Sequence, residues 1–419
     1  MRKHSLLALI FLVSHLTLRA GQMIDTETPF PVKVGGLILV DTIFDTNQVV
    51  SSRDNVYDLF PVPVMLDVAG NNISARGDFN LLAIRTRLFV EGNGPELWCA
   101  KTRAYVEGDF QGRVEIVNLF RLRHAFFELT WPYSHLLVGQ TNHPFYFPEG
   151  FPGVVDESGG RPILPFVRHP QIRFTHQCNT FEIILAALGE LDVPNDGPLA
   201  RSTSYFRNAM IPNLHAQGRF IIGDHLFGAA VDYKRLVPRL VTDTNYQTFE
   251  HLDAVSYMAY AKFGWGKFAW FNKICYVANA LQYDMIGGYA VASIDPITDR
   301  RTYAPLYTLS YGFDINYKGC FYEPGLWIGI AKSMGAHKPI ITSLETNGFF
   351  FRTIYGQGIG IDTELRVAPR LRLHYDPLII AAEIEYTRAT FGTLDNCGRV
   401  RDTTPASNVR FMLIFLYEF

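Results

Sequence analysis

The chain has 419 residues with 38 basic and 40 acidic side chains, a formal net charge of −2, and so offers no bulk attraction for nucleic acid. Hydrophobic residues make up 48% and aromatic residues 14% of it, yet after residue 20 no uninterrupted apolar run approaches the length of a membrane helix. Its 34 glycines and 23 prolines fall mostly between apolar segments, which points to many alternating strands rather than to membrane helices or one simple core.

Residues 1–20 carry a basic start (Arg2, Lys3), an apolar core from Leu6 to Leu18 and small residues at Ala20 and Gly21. This is the layout of a secretory signal, with a core too short for a stable span. An N-terminal anchor helix is the alternative, and Leu18 and Ala20 fit the small-x-small rule only in part, leaving the cleavage site open by a few residues. Residues 21–419 then form one domain, since no repeat, low-complexity tract or linker divides them.

Period-two alternation predicts strands over 33–44, 80–91, 97–110, 116–130, 134–142, 170–178, 180–190, 213–222, 225–237, 252–264, 266–283, 304–318, 320–333, 364–376, 377–390 and 407–419. That is about sixteen, an even number as single-chain bacterial barrels have. Their connections sort by length. Short ones lie at 92–96, Pro132, Asn179, Gly223-Asp224, Gly264-Trp265-Gly266, Lys318-Gly319-Cys320 and Asp376-Pro377. Long ones lie at 45–79, 143–169, 191–212, 238–251, 284–303, 334–363 and 391–406, with a single short one on that side near Gly112. One rim of short turns and one of long loops is the plan of an all-β, transmembrane antiparallel barrel, short turns periplasmic and long loops extracellular.

Alternation also assigns the faces. Lys101, Arg103, Tyr105, Glu107 and Asp109 oppose Ala100, Ala104, Val106 and Phe110; Arg85 and Arg87 oppose Leu82, Ile84, Leu88 and Val90. Arg173 opposes Ile172 and Phe174, and Arg366, Arg370 and Arg372 oppose Leu365, Val367, Leu371 and Leu373. A charge facing lipid at midplane costs about 2–4 kcal/mol, so these side chains are expected inside, in a wet lumen. Around Phe120-Arg121-Leu122-Arg123-His124-Ala125-Phe126-Phe127-Glu128 the alternation slips, as a bulge would make it. In the last strand Phe411, Leu413, Phe415, Tyr417 and Phe419 share a lipid-facing side, as a closing strand requires. Met412, Ile414 and Leu416 then point inward, which suits either a wall near a subunit contact or packing under an inserted loop. Cys99, Cys178, Cys275, Cys320 and Cys397 lack metal-ligand spacing and are odd in number; we expect mostly free thiols, with one or two disulfides as the alternative.

Several runs resemble the DcaP-like trimeric outer-membrane porins: Val106-Glu107-Gly108-Asp109-Phe110, Phe120-Arg121-Leu122-Arg123-His124-Ala125-Phe126, Val138-Gly139-Gln140-Thr141 and Arg168-His169-Pro170-Gln171-Ile172-Arg173-Phe174-Thr175. Val367-Ala368-Pro369-Arg370-Leu371 and Glu385-Tyr386-Thr387-Arg388-Ala389-Thr390-Phe391-Gly392 extend the resemblance in order toward the C-terminus. The cysteines and the segment 334–363 depart from the pattern. The resemblance implies a sixteen-stranded homotrimer in the outer membrane of a Gram-negative-type bacterium, passing small anionic solutes such as carboxylates. Tyr417 and Phe419 similarly resemble the terminal-aromatic signal read by the barrel-insertion machinery.

A porin works through the size and field of its narrowest section. The resemblance points to 143–169 as a constriction loop folded into the lumen, where Tyr146 and Phe147 give bulk and Asp156, Glu157 and Arg161 give charge; a loop capping the barrel from outside is the alternative. Facing it, Arg85, Arg87, Lys101, Arg103, Arg121, Arg123, Arg366, Arg370 and Arg372 come together when the barrel closes. Poorly screened in a low-dielectric wall, they would favour anions. Cross-strand neutralisation by Glu107, Asp109, Glu383 and Glu385 is the competing expectation. The sequence has no G-x-S-x-G and no H-E-x-x-H, so a barrel enzyme is disfavoured, and no metal or cofactor is expected. A surface adhesin or structural barrel is the other alternative; a charged lumen argues against it.

Overall fold

A computed structural model describes residues 31–112, 118–346 and 349–419. The predicted signal at 1–20 lies outside them.

The wall is a closed antiparallel barrel of sixteen strands. In chain order these are β1 (Val32–Asp45), β2 (in two pieces, Asp78–Leu82 and Arg87–Leu97), β3 (Ala100–Asp109), β4 (Arg121–Thr130), β5 (Ser134–Asn142), β6 (Arg168–Cys178), β7 (Phe181–Leu188) and β8 (Asn213–Ile222). There follow β9 (His225–Leu236), β10 (Leu252–Trp265), β11 (Phe268–Ala278), β12 (Tyr307–Tyr317), β13 (Tyr322–Gly335), β14 (Ile361–Tyr375), β15 (Leu378–Leu394) and β16 (Val400–Glu418). Each strand pairs with its chain neighbours, and β16 closes on β1 in a register running from Leu37↔Glu418 to Asp45↔Arg410. Closure leaves no unpaired edge, which is the condition for strands to stand in lipid.

Outward positions are apolar around the barrel: Val90, Val106, Phe127, Ile172, Leu185, Phe220, Tyr257, Ile274, Ile330 and Ile384 are all exposed, as is the Phe411–Phe419 stripe of β16. A surface this apolar is stable facing acyl chains, and the barrel is an outer-membrane, multi-pass architecture. The wall is uneven in height, from 8 residues in β7 to 19 in β16.

Four expectations about the wall need correction. The strand predicted over 80–91 breaks at 83–86, where the Thr86 N–H donates to the Ala83 carbonyl (3.2 Å) and Arg85 lies buried in the break. The strand predicted over 266–283 ends at Ala278, because Asn279 takes a left-handed backbone (φ 51°) and residues 280–283 coil into a buried 3-10 turn. The long loop expected at 391–406 is a tall hairpin, since β15 and β16 continue beyond the predicted ends and leave only 395–399 as a turn. The strand predicted over 116–130 begins at Arg121 in the described residues; 113–117 lie outside them. The expected bulge is present: His124 pairs with Glu107 and Leu122 with Gly108, so Arg123 is the extra residue of β4.

Inside the barrel, three long loops turn inward rather than outward. The hairpin of Val49–Ser52 and Tyr57–Pro61 buries Tyr57, Asp58, Leu59 and Phe60. Residues 143–167 run through the lumen, with Phe145, Ile163, Leu164 and Val167 almost wholly buried. Residues 279–291 bury Leu281, Tyr283, Met285, Ile286 and Tyr289, and their strand Gly287–Ile294 joins Arg301–Pro305 and Ile354–Gln357 in a small sheet. Part of 334–363 therefore has a defined place as a strand of that sheet. The five cysteines stand apart as thiols; Cys99, Cys178 and Cys320 are exposed on the short-turn rim, and Cys275 is buried.

Candidate functional site

The lumen loop is the natural place to look for function, because charged wall residues converge on it. Glu157 is the centre of one set. Arg87 Nη2 donates to Glu157 Oε2 at 2.7 Å, Arg85 Nε to the same oxygen at 3.2 Å, and Arg123 Nη1 to Oε1 at 3.1 Å. Burial pushes the Glu157 carboxyl up, but Arg87, Arg85 and Arg123 outweigh it and hold it well below its ordinary value. The bulge in β4 has a purpose here: it puts Arg123 and His124 on the lumen side together, beside Glu157.

The residues on either side of Glu157 are held by β12, β14 and β15. Arg370 grips Asp314 in a two-point pair (2.8 and 2.9 Å), and Asp314 also accepts the Gly153 N–H (3.0 Å). A Cβ at Gly153 would collide with the pinned Arg370 guanidinium, so only glycine fits there. Arg372 donates to the carbonyls of Gly153 (2.6 Å) and Val154 (3.1 Å) and to Glu323 (2.9 Å). Arg366, fully buried, donates to the Arg161 carbonyl (3.0 Å) and the Leu59 carbonyl (3.0 Å) and lies 3.2 Å from Glu385. Glu383 does not neutralise an arginine: it accepts the backbone N–H groups of Val155 (2.8 Å) and Asp156 (3.3 Å).

The remaining predicted residues divide clearly. Arg121 pairs with Asp109 (2.7 Å), and Arg123 with Glu107 (2.6 Å) and Asp109 (3.0 Å). Arg103 pairs with Glu91 (2.7 Å) in a partly exposed position. Arg161 covers the Tyr57 ring at 3.5 Å and bonds Asp284. Tyr146 packs against Phe151 and Phe166, and Phe147 against Tyr260. Asp156 caps the Ser158 N–H (3.0 Å). Among the described residues, Arg173 and Lys101 have no ion-pair partner; Arg173 is half-buried on the inward side of β6 and Lys101 is exposed at the short-turn end of β3. Tyr417 and Phe419 are exposed on the outer surface. The expected ladder of free arginines is thus mostly a set of ion pairs, because burial makes an unpaired guanidinium costly.

Sequence reasoning missed several partners. Asp41 accepts from Arg85 (2.6 Å), Asp45 pairs with Arg410 (2.9 Å), and Tyr57 and Asp58 enter from the first long loop. The signal for Asp41 was present, as an acid within the predicted strand 33–44, whereas Asp45 lies one residue beyond that predicted end and belongs to the observed β1.

Among the described residues, two of the cavities lie beside the lumen loop. One, about 350 Å³, is lined by Arg85, Arg87, Arg123 and Arg168 against Glu107, Asp156 and Glu157. The other, about 150 Å³, lies toward the short-turn rim, with Lys262, Lys318 and Arg370 against Glu149 and Asp314. Each lining thus carries one more cation than acid.

A closed sixteen-stranded barrel with an internal loop and an apolar outer belt is the fold of the outer-membrane porins. No family model matches the chain, and no curated protein matches it by sequence. Among solved structures, it is similar to the outer membrane channel DcaP of Acinetobacter baumannii, with a TM-score of 0.67 at 17% identity over 94% of this chain and 99% of that one. It also resembles an anion-selective porin from Comamonas acidovorans (TM-score 0.54, 8% identity, 93% and 100% covered). A third likeness is to OmpT, an outer membrane protein of Vibrio cholerae, in its trimer form (TM-score 0.52, 8% identity, 94% and 100% covered). The DcaP-like fold read from the sequence motifs is therefore the fold observed.

Proposed function

We propose that the chain is a passive diffusion channel of the outer membrane for small hydrophilic solutes, with a preference for anions of carboxylate type. The lumen loop 143–167 is its constriction, and solutes pass the two cavities that flank it. The observation that carries this reading is the excess of one cation over acids in both cavity linings, added to the unpaired Arg173 on the inward side of β6. In a wall of low dielectric, the charges that line a passage bias ion entry even where acids behind the lining, such as Asp41 beside Arg85, offset part of them. The name of the Comamonas acidovorans relative, an anion-selective porin, agrees with it, and the trimer form of the Vibrio cholerae protein supports a homotrimer here. The barrel does no covalent chemistry in this reading, and Tyr417 and Phe419 serve its insertion.

Reversal potential across a planar bilayer under a KCl gradient tests the selectivity. A potential of the sign set by chloride is expected; one set by potassium overturns the anion preference.

A second reading is favoured by the packing of three loops in the lumen: a surface barrel closed to solutes. Swelling of liposomes in a small carboxylate separates the two, since only an open channel admits the solute.

A further inference from the structure

The loop leaves β5 at His143, and that residue sits in a buried polar cluster no part of the proposed conduction path uses. His143 Nε2 lies 3.4 Å from Asp232 Oδ2 on β9, and His215 Nδ1 on β8 lies 3.2 Å from the same oxygen; none of the three side chains touches solvent. The other Asp232 oxygen accepts from Tyr283 (2.6 Å) and Asn213 (3.0 Å).

Two imidazoles and a carboxylate within reach of one another would suit a metal ion, but the hydrogen bonds assign the nitrogens otherwise. His143 Nδ1 accepts the Phe145 backbone N–H at 3.0 Å. In a neutral ring the hydrogen then sits on Nε2, facing Asp232, and no lone pair is left there for a metal. Both His215 nitrogens are engaged as well, Nδ1 by Asp232 and Nε2 by Gln217 at 3.1 Å.

We propose that His143 is a latch that holds the root of the lumen loop while its ring is neutral and releases it when the surrounding medium turns acid, so that the channel widens at low pH. This rests on the reading of 143–167 as the constriction. The mechanism follows from the Nδ1 bond. A second proton on the ring can only go to Nδ1, where it faces the Phe145 N–H donor-to-donor. That breaks the turn in which the Tyr146 N–H also bonds the His143 carbonyl (2.7 Å). Phe145 is the first anchor of the loop: its ring stacks on Tyr283 (5.1 Å) and its carbonyl accepts from Lys273.

The charged and titratable groups around the ring come from several elements. β9 brings Asp232 and Lys234, the latter paired with Glu190; β8 brings His215, β6 brings His169 with its ring 6.0 Å away, and the 279–291 loop brings Tyr283. Burial pushes His143 below the ordinary histidine value of 6.5, and His215 and Lys234 act in the same direction, against the pull of Asp232. The neutral ring therefore belongs to the latched state. As pH falls through the ordinary histidine range, proton uptake by the solvated ring favours release.

The test joins single-channel conductance to hydrogen exchange of the 143–151 amides, corrected for intrinsic rates, in the full-length protein between pH 7 and pH 4.5. Conductance should rise about twofold or more on acidification while the amides lose protection. His143→Asn keeps a side-chain acceptor for the Phe145 N–H but cannot titrate, and His143→Gln is a second non-titrating variant; both should flatten both profiles. Amides that stay protected in the wild type, or an acid step that persists in both variants, overturn the latch. Lost protection with unchanged conductance keeps the latch and overturns the constriction. A neutral-pH conductance that depends on added zinc or on EDTA identifies the cluster as a metal site and overturns the proton assignment.

Discussion

The lumen loop meets two parts of the same wall in opposite ways. Against the closing seam its side chain packs dry: Val155 sits among Leu39 and Ile43 of β1, Ala381 of β15, and Met412 and Ile414 of β16, while its backbone N–H bonds Glu383. Against β2–β4, two residues further on, Glu157 is gripped by Arg85, Arg87 and Arg123. The apolar packing sets how close the loop lies and is by itself indifferent to orientation. The charged contact fixes direction, because a carboxylate shared by three guanidiniums tolerates little displacement. One loop thus combines apolar burial on one side of the lumen with ion pairing on the other.

The largest break in that comparison is Glu157→Gln. It leaves three arginines with one acid fewer, and removing one partner of a buried pair costs about 3–5 kcal/mol. Thermal unfolding in detergent should show a clear loss of stability, and the reversal potential should move further toward chloride. The same residue gives a pH test. Because the Glu157 carboxyl is held well below its ordinary value of 4.5, its stabilisation is present above that value and is lost only as pH falls through the depressed one. Wild type and Glu157→Gln should therefore keep their stability gap at pH 5 and converge only well below pH 4.5. On the dry side, Ile414→Val should cost about 0.5–1.5 kcal/mol and leave ion selectivity alone. The smallest effect is expected of Arg103→Ala, whose pair with Glu91 is partly exposed: about 0.2–1 kcal/mol of stability, read by the same unfolding assay.

The difference between the two contacts also explains what the sequence disclosed. Wall strands depend on a period of two and on turn residues, both local, so β5 and β8 fall where the alternation puts them. The inward Met412 and Ile414 were legible as an anomaly with two explanations, and the structure selects packing under the inserted loop. The inward side of the arginines was legible too. Their partners were only partly so: Glu107 and Asp109 were named as neutralisers and serve as such, whereas Asp41 comes from the neighbouring β1, Asp314 from the strand beyond β13, and Asp58 from the first long loop. Such contacts depend on where the chain folds back, which no local pattern encodes. The inward turn of 279–291 was hidden for a related reason, because a continuing strand and a buried 3-10 turn are equally apolar.

The central claim is that the loop threading the lumen sets the passage. Its most direct test is the single-channel conductance of a variant in which residues 148–160 are replaced by a short Gly-Ser link, compared with wild type in the same bilayer at pH 7. A conductance several times larger, with weaker ion selectivity, is the predicted result. An unchanged conductance in a variant that still forms the closed barrel would contradict the account.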